Sequence, residues 1–401
     1  MNNKSLITSR IKNIKPSATR LFTDKAEALK AKGIDVISFS QGEPDFDTPD
    51  NIKNASISAT RAGFTKYTTH AGLNELREAI CYKFKRENSL EYNPSQIIVS
   101  NGAKQVLFNA FMTVCEAGDS VIVPTPCYVT FPEQIKLAGA DPIFVPTKEE
   151  NNFRVTLEDL KSKYTSSVKV ILLNSPNNPS GASIMKKDLE EIAKFVIEND
   201  LLVITDEVYE KLIYDNNKHK SMASINQEIK DRTITINSVS KTYAMTGWRV
   251  GYAAGPKEII SAMIKLQGQS TGSINEMAQK AAIEAFTGSQ AKVTEMVNEY
   301  AKRREYMVNR LNSMKGVTCK YPDGAFYVFP KISGLYGKMF KCNVLKNEGD
   351  VVNLLLDEAQ ITGVPGSAFE YPDYLRLTFA TSMDNIKEGM DRIEAAVNKL
   401  K

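Results

Sequence analysis

The sequence predicts an α/β protein built on a mostly parallel sheet with helices on both faces. Short runs of consecutive apolar residues alternate with amphipathic segments of helical period through the first two-thirds of the chain. A strand that is apolar on both faces belongs inside a parallel sheet, because helices then cover each side. A third observation bears on function. Run after run ends in polar residues, and in such sheets ligands bind beyond the carboxyl ends of the strands.

Taken in order, residues 17–32 read as a helix with Ser17 at its N-cap and Gly33 as its stop. Residues 36–39 form a short strand, and 41–49 (Gln-Gly-Glu-Pro-Asp-Phe-Asp-Thr-Pro) a loop. An amphipathic helix over 72–88 places Leu73, Leu76, Ile80 and Phe84 on one face.

The repeat then begins. Residues 97–99 run into Ser100-Asn-Gly-Ala103 and a helix with Val106, Leu107, Ala110, Phe111 and Val114 inward. Residues 121–123 lead to Pro124-Thr-Pro-Cys-Tyr128, and 170–173 to Asn174-Ser-Pro-Asn-Asn-Pro-Ser-Gly181 and a helix over 187–199. Residues 201–204 lead to Thr205-Asp206-Glu-Val-Tyr209, and 233–237 to Ser238-Val-Ser-Lys241, with a further strand over 250–254.

From about 257 the pattern is helical. A long helix over 290–314, with Val293, Met296, Tyr300, Met307 and Leu311 inward, leads to a second unit. That unit has short strands near 317–321, 325–329, 361–364 and 375–379, and a closing helix over 384–400. The expected division is 1–45 as an N-terminal arm and part of the small domain, 46–290 as the large domain, and 291–401 as the small C-terminal domain.

Composition narrows the function. At 401 residues and 42% hydrophobic the chain can bury a sizeable core. A net charge of +4 is small for this length and gives no electrostatic case for nucleic acid or membrane binding. No apolar run approaches the roughly 20 residues that span a bilayer. The polar start over 1–10 reads as a frayed arm of a cytoplasmic protein. Five scattered cysteines without CxxC read as reduced thiols. With only His70 and His219, a multi-histidine metal site is excluded.

Several motif matches fail on context. Gly268-Gln-Ser-Thr-Gly272 fits G-x-S-x-G, but a helical segment precedes it where the nucleophile elbow needs a strand. Ser238-Val-Ser-Lys241 fits S-x-x-K, but the companion S-D-N and K-T-G motifs are absent. Neither a P-loop nor a G-x-G-x-x-G fingerprint occurs.

What remains is Lys241 at a strand's end beside Ser238, Ser240 and Arg249. A lone lysine would ordinarily snorkel to the surface. Two hydroxyls and a guanidinium make an anion site, however, and Ser100-Asn-Gly-Ala103 at a helix N-terminus makes another. A lysine beside a phosphate cradle points to pyridoxal phosphate held covalently by that lysine. The cofactor's pyridine nitrogen needs an acid partner, and Asp206 ends another strand; capping the next helix is the ordinary role for an Asp there.

The chain resembles the class I aminotransferases of the pyridoxal-phosphate fold type I superfamily, and within them the aspartate aminotransferase branch. The resemblance rests on Gly42-Glu-Pro-Asp-Phe-Asp-Thr-Pro49, Lys66-Tyr-Thr-Thr-His-Ala-Gly72, Asn101-Gly-Ala-Lys-Gln105, Asn174–Gly181, Asp206-Glu-Val-Tyr209, the stretch Ser238–Gly251, Gly324-Ala-Phe-Tyr327 and Leu375-Arg-Leu377. These span nearly the whole chain.

The resemblance implies a large domain with a mostly parallel seven-stranded sheet, a smaller α/β domain, and pyridoxal 5'-phosphate as cofactor. It implies Lys241 as the covalent anchor and proton shuttle, and Asp206 as the pyridine partner. Tyr209 and Asn178 would bond the ring oxygen, and Tyr128 would stack on the ring. Gly102, Ala103, Ser238, Ser240 and Arg249 would hold the phosphate, with Tyr67 reaching the neighbouring subunit of a homodimer. Arg376 would grip the substrate α-carboxylate with the Gly42 backbone and Asn178. Lys104 and Lys15 would face the distal carboxylate of an acidic substrate. Relatives specific for aspartate usually carry Trp where this chain has Tyr128. A tyrosine keeps the π-face but loses the indole donor. L-aspartate and 2-oxoglutarate are thus the expected substrates, with aromatic amino acids or alanine the alternative.

Overall fold

The computed structural model describes residues 6–215 and 217–401. Residues 1–5 of the expected arm lie outside the described residues; beyond them, Ser9–Lys12 forms one helical turn. A short strand, β1 (Ile37–Ser38), precedes the main sheet. That sheet comprises β2 (Ile97–Ser100), β3 (Ser120–Thr125), β4 (Asp141–Pro146), β5 (Val168–Asn174), β6 (Leu202–Asp206), β7 (Thr233–Ser238) and β8 (Gly251–Ala254). Their spatial order is β2-β8-β7-β6-β5-β3-β4. The pairs from β4 through β7 are parallel, while β8 runs antiparallel to both β2 and β7.

The seven strands and the parallel core agree with expectation, and two details add to it. The strand β4 was not legible as a strand. Its sequence, Asp-Pro-Ile-Phe-Val-Pro, lies at the sheet edge and is mostly half-buried, so it lacks a continuous apolar run. The reversal of β8 is the second, and it matters for the site.

Successive side chains of a strand face opposite sides, and β5 shows the consequence. Val170 and Leu172 join Val106, Leu107, Ala110 and Phe111 of the helix Ala103–Val114 on one face. Ile171 and Leu173 join Leu189, Ile192 and Val196 of the helix Lys186–Glu198 on the other. Each fully buried aliphatic side chain of this kind contributes about 1.5–3 kcal/mol. These two layers hold the strand ends in a fixed row.

The amphipathic helix expected over 72–88 is α-helical over Asn74–Lys83 and then widens into a π turn, Phe84–Asn88. The extra residue per turn brings Asn88 Oδ1 within 2.8 Å of Lys83 Nζ.

The remaining strands are short: β9 (Tyr327–Val328), β10 (Met339–Phe340), β11 (Asn343–Val344), β12 (Ile361–Thr362), β13 (Val364–Pro365) and β14 (Leu375–Thr378). An antiparallel sheet β13-β14-β9 forms beside a parallel pair, β1 with β12, in which Ile37 faces Ile361. The strand expected near 317–321 reduces to a single bridge between Thr318 and Lys331. The long helix is Ala291–Ser313, and it buries Val293, Met296, Tyr300, Met307 and Leu311 as its periodicity predicts. No described helix is long and apolar enough to cross a membrane.

Candidate active site

The polar strand ends meet at one edge of the sheet. Register places Asn174 opposite Asp206 and Asp206 opposite Ile236. Because β8 runs backwards, its first residue, Gly251, sits between Ser100 and Ser238. The chain entering β8 therefore delivers Arg249 to the same edge as both serines. Gly102 takes φ +84°, which a side chain resists, and a Cβ there would collide with the Arg249 guanidinium. Arg249 donates to the carbonyls of Thr246 (2.7 Å) and Asn101 (3.2 Å), which fixes it over the N-terminus of the helix Ala103–Val114.

These groups face a cavity of about 580 Å³ that also takes in residues of β14 and of the segment 17–43. Lys241 Nζ enters it, bonded to the Gly42 carbonyl. Asp206 is buried at its floor, and among the described residues its one side-chain bond is that which its Oδ1 accepts from the Val208 amide, at 3.3 Å. Asn174 accepts from the Asn178 amide (2.9 Å) and donates to the Asp206 carbonyl (3.0 Å), so it locks the Asn178 turn to the end of β6.

Arg376 of β14 is 2% exposed. It donates to Asn178 Oδ1 (3.1 Å) and to the Ser40 carbonyl (2.6 Å), lies between the rings of Tyr327 (4.5 Å) and Phe369 (5.1 Å), and leaves its Nε without a partner. Since Arg376 has only donors, Asn178 must turn its oxygen to it. The Asn178 amide nitrogen therefore faces elsewhere.

Burial shapes the electrostatics. It raises Asp206 to about 7, with neighbouring Glu207 adding to the effect. It lowers Lys241 to about 8, helped by Arg376 and Arg249 and opposed by Glu43. Burial likewise raises the Tyr209 hydroxyl. The buried Asp206 carboxyl has one amide donor and no hydrogen-bonded cation among the described residues, and Lys241 shares the cavity with hydroxyls, helix-start amides and a guanidinium. These residues fit pyridoxal 5'-phosphate: a protonated pyridine nitrogen would complete Asp206, and the cradle of Gly102, Ala103, Ser238, Ser240 and Arg249 offers hydroxyls, amides and a guanidinium to a phosphate.

A buried network backs this edge. Lys83 pairs with Glu210, whose carboxylate also accepts from Asn88 (2.7 Å) and Asn237 (2.8 Å); Asn237 in turn accepts from the Ser238 amide (2.7 Å). Burial would raise Glu210, but Lys83, His219 and Asn88 overcome it and hold the group at about 2. Among the described residues Glu207, Glu210 and His219 form the one group close enough to hold a metal, and Lys83 already supplies its cation.

Of the residues singled out in the sequence, Lys241, Asp206, Ala103, Tyr128, Asn178, Tyr209, Ser238, Ser240, Arg249, Gly42, Arg376 and Lys104 line this cavity, and Gly102 caps the adjoining helix. Two do not line it. Tyr67 is fully exposed. The Lys15 ammonium lies at the surface, 3.9 Å from Glu370. Sequence reasoning missed Arg20, Glu43 and Tyr327, which also line the cavity. Tyr327 lies in a motif quoted above; for Arg20 no signal existed, since a helical arginine is ordinarily solvated.

The seven-stranded, mostly parallel sheet and the likeness to solved aspartate aminotransferases define a fold type I pyridoxal-phosphate enzyme. Comparison with known proteins narrows the class. The family model for aminotransferase class I and II matches residues 34–393, and the chain belongs to that family. An "Aspartate aminotransferase" of Bacillus sp. (strain YM-2) is 44% identical over 394 residues, covering 98% of this chain and 100% of the relative. A "Probable aspartate/prephenate aminotransferase" of Aquifex aeolicus is 45% identical over 398 residues, covering 98% and 99%. The crystal structure of an aspartate aminotransferase from Rhizobium meliloti superposes with a TM-score of 0.96 at 38% identity, covering 99% of this chain and 100% of that one. The chain is an aminotransferase that works with pyridoxal 5'-phosphate.

Proposed function

We propose that this aminotransferase moves the amino group of L-aspartate to 2-oxoglutarate, giving oxaloacetate and L-glutamate in a ping-pong cycle. One observation carries the choice of a dicarboxylic substrate. Beyond Arg376 and the cations assigned to the cofactor (Lys241 and Arg249), the cavity offers Lys104, whose Nζ lies 5.8 Å from the Tyr128 ring centre, whereas Arg20 is already paired with Asp24. A substrate with two carboxylates satisfies both Arg376 and Lys104. The names of the relatives point the same way.

Arg376 receives the α-carboxylate on a planar fork that lysine cannot offer. Asn178 and the Ser40 carbonyl hold that fork in place. Pyridoxal 5'-phosphate, when bound, supplies an electron sink that acidifies the substrate Cα–H. Lys241 would hold it covalently, Asp206 its pyridine nitrogen, Tyr209 and Asn178 its ring oxygen, and Tyr128 its ring face. Lys241 Nζ, brought toward neutrality by burial, is the base that takes the Cα proton. 2-Oxoglutarate reverses the sequence on the same residues.

The full exposure of Tyr67 supports a homodimer in which it serves the neighbouring site. The reading includes a cytoplasmic location and domain limits near residues 45 and 290.

The test is the visible spectrum of the purified protein with amino acids added singly. The cofactor band is expected to bleach fastest with aspartate or glutamate, and Lys241→Ala to lose turnover. Bleaching by tyrosine or alanine alone would move the substrate to that class.

A further inference from the structure

Tyr327 ends the Gly324-Ala-Phe-Tyr motif, and nothing in the mechanism above uses it. It is buried. Its hydroxyl lies 2.9 Å from that of Tyr209. The Arg376 guanidinium stands 4.5 Å from the centre of its ring. A Cβ on Gly42 would come within 3.0 Å of its hydroxyl, so Tyr327 also packs against the backbone that accepts from Lys241. One side chain thus touches the group proposed for the substrate carboxylate and the group proposed for the cofactor's ring oxygen. Arg376, Tyr209, Tyr128 and Glu43 are the charged and titratable groups that act on it.

Hydrogen-bond accounting gives the contact a direction. Each hydroxyl has one proton to donate. If Tyr209 spends its proton on the ring oxygen, the 2.9 Å contact can only be Tyr327 donating to Tyr209. We propose that Tyr327 is a positioning residue that donates to Tyr209, strengthens the bond Tyr209 gives to the cofactor's ring oxygen, and links that bond to occupancy of Arg376. The proposal rests on the roles assigned above to Tyr209 and Arg376. Serial hydrogen bonds polarise one another, so the first donor sharpens the second. A cation over the phenol face draws electron density from its hydroxyl. A carboxylate bound at Arg376 offsets that cation, and the relay weakens.

The experiment is a pH titration of the cofactor's visible band in the holoenzyme, with and without succinate, a dicarboxylate that cannot react. It compares wild type, Tyr327→Phe, Tyr209→Phe and the double variant. Phenylalanine keeps the ring against Arg376 and removes only the donor. A ring oxygen with a weaker donor holds the chromophore's proton more tightly, so Tyr327→Phe is expected to raise the band's apparent pKa by about 0.5, a threefold change in proton affinity. Succinate, by offsetting the Arg376 charge, is expected to raise the wild-type value, and that rise is expected to shrink in Tyr327→Phe. In the Tyr209→Phe background the second substitution is expected to add nothing, because the relay is already cut. Incorporating 3-fluorotyrosine at position 327, a stronger donor with the ring intact, is expected to shift the band the other way and guards against misfolding.

A Tyr327→Phe band at the wild-type position beside a shifted Tyr209→Phe band overturns the relay, and so do additive shifts. A Tyr209→Phe band at the wild-type position overturns it too, and locates the fault in the role given to Tyr209.

Discussion

Replacing Asp206 by asparagine is expected to stabilise the cofactor-free protein while crippling the enzyme. Burial raises the Asp206 carboxyl from about 3.8 to about 7. Between those values the folded protein keeps a proton that the unfolded chain has released. The apoprotein therefore loses stability as pH rises from about 4 to 7, and the deficit stays constant above. About three pH units at ~1.4 kcal/mol each amount to roughly 4 kcal/mol. Asparagine keeps the size and the oxygen that accepts from the Val208 amide, and it carries no charge to desolvate. Its buried NH₂ forfeits about 1–2 kcal/mol if it finds no acceptor, which leaves a net gain of about 2–3 kcal/mol.

Urea unfolding of the apoproteins at fixed protein concentration, followed by circular dichroism at pH 5 and pH 8, measures this. The variant should lead at pH 8, and the lead should be larger there than at pH 5. With cofactor the order of merit reverses, since a protonated pyridine nitrogen needs the carboxylate, and turnover should fall by about 100-fold or more. A wild-type apoprotein as stable as Asp206→Asn at pH 8 would refute the reasoning, as would a difference that ignores pH.

Other substitutions test the remaining parts. Arg376→Lys replaces a two-pronged donor by one, losing about 1.5–3 kcal/mol of charge-assisted bonding. Steady-state kcat/KM should fall about 10–100-fold for every amino acid, and an unchanged value would remove Arg376 from carboxylate binding. Lys104→Met should lower kcat/KM for aspartate and glutamate about tenfold while alanine is untouched; the effect is modest because Lys104 is exposed. Glu210→Gln leaves the buried Lys83 ammonium with only the more distant Glu87 carboxylate, at 3.8 Å, and should cost about 2–3 kcal/mol in denaturant unfolding. In wild type, Glu210 is held at about 2. Its contribution is therefore complete above about 4.5 and disappears as pH falls toward 2, so the gap between wild type and variant should close on acidification.

The residues that end the sheet strands were legible because each follows a run of apolar residues that only a covered sheet could use. Asp206 after Leu-Leu-Val-Ile-Thr and Ser238 after Thr-Ile-Thr-Ile-Asn are of this kind. The edge strand β4 was not legible, because a strand paired on one side and half-buried needs no such run. Lys15 was placed by resemblance alone; its ammonium lies at the surface, 3.9 Å from Glu370, and is not among the groups lining the cavity.

By itself, then, the sequence determined which groups were available: a lysine among hydroxyls, a carboxyl at a strand end, a glycine turn opening a helix, and an arginine far along the chain. Local periodicity encodes these, since they depend on contacts within one strand or one helix. Three matters were decided by tertiary structure alone. The reversal of β8 brings Arg249 to the serines, because register pairs Gly251 with Ser100 on one side and Ser238 on the other. The pairing of β13, β14 and β9 sets Arg376 against Tyr327 and Asn178. Burial moves Asp206 and Lys241 toward neutrality. Each depends on what other parts of the chain exclude or supply, such as water, counter-charge or a neighbouring strand, and no local pattern records that.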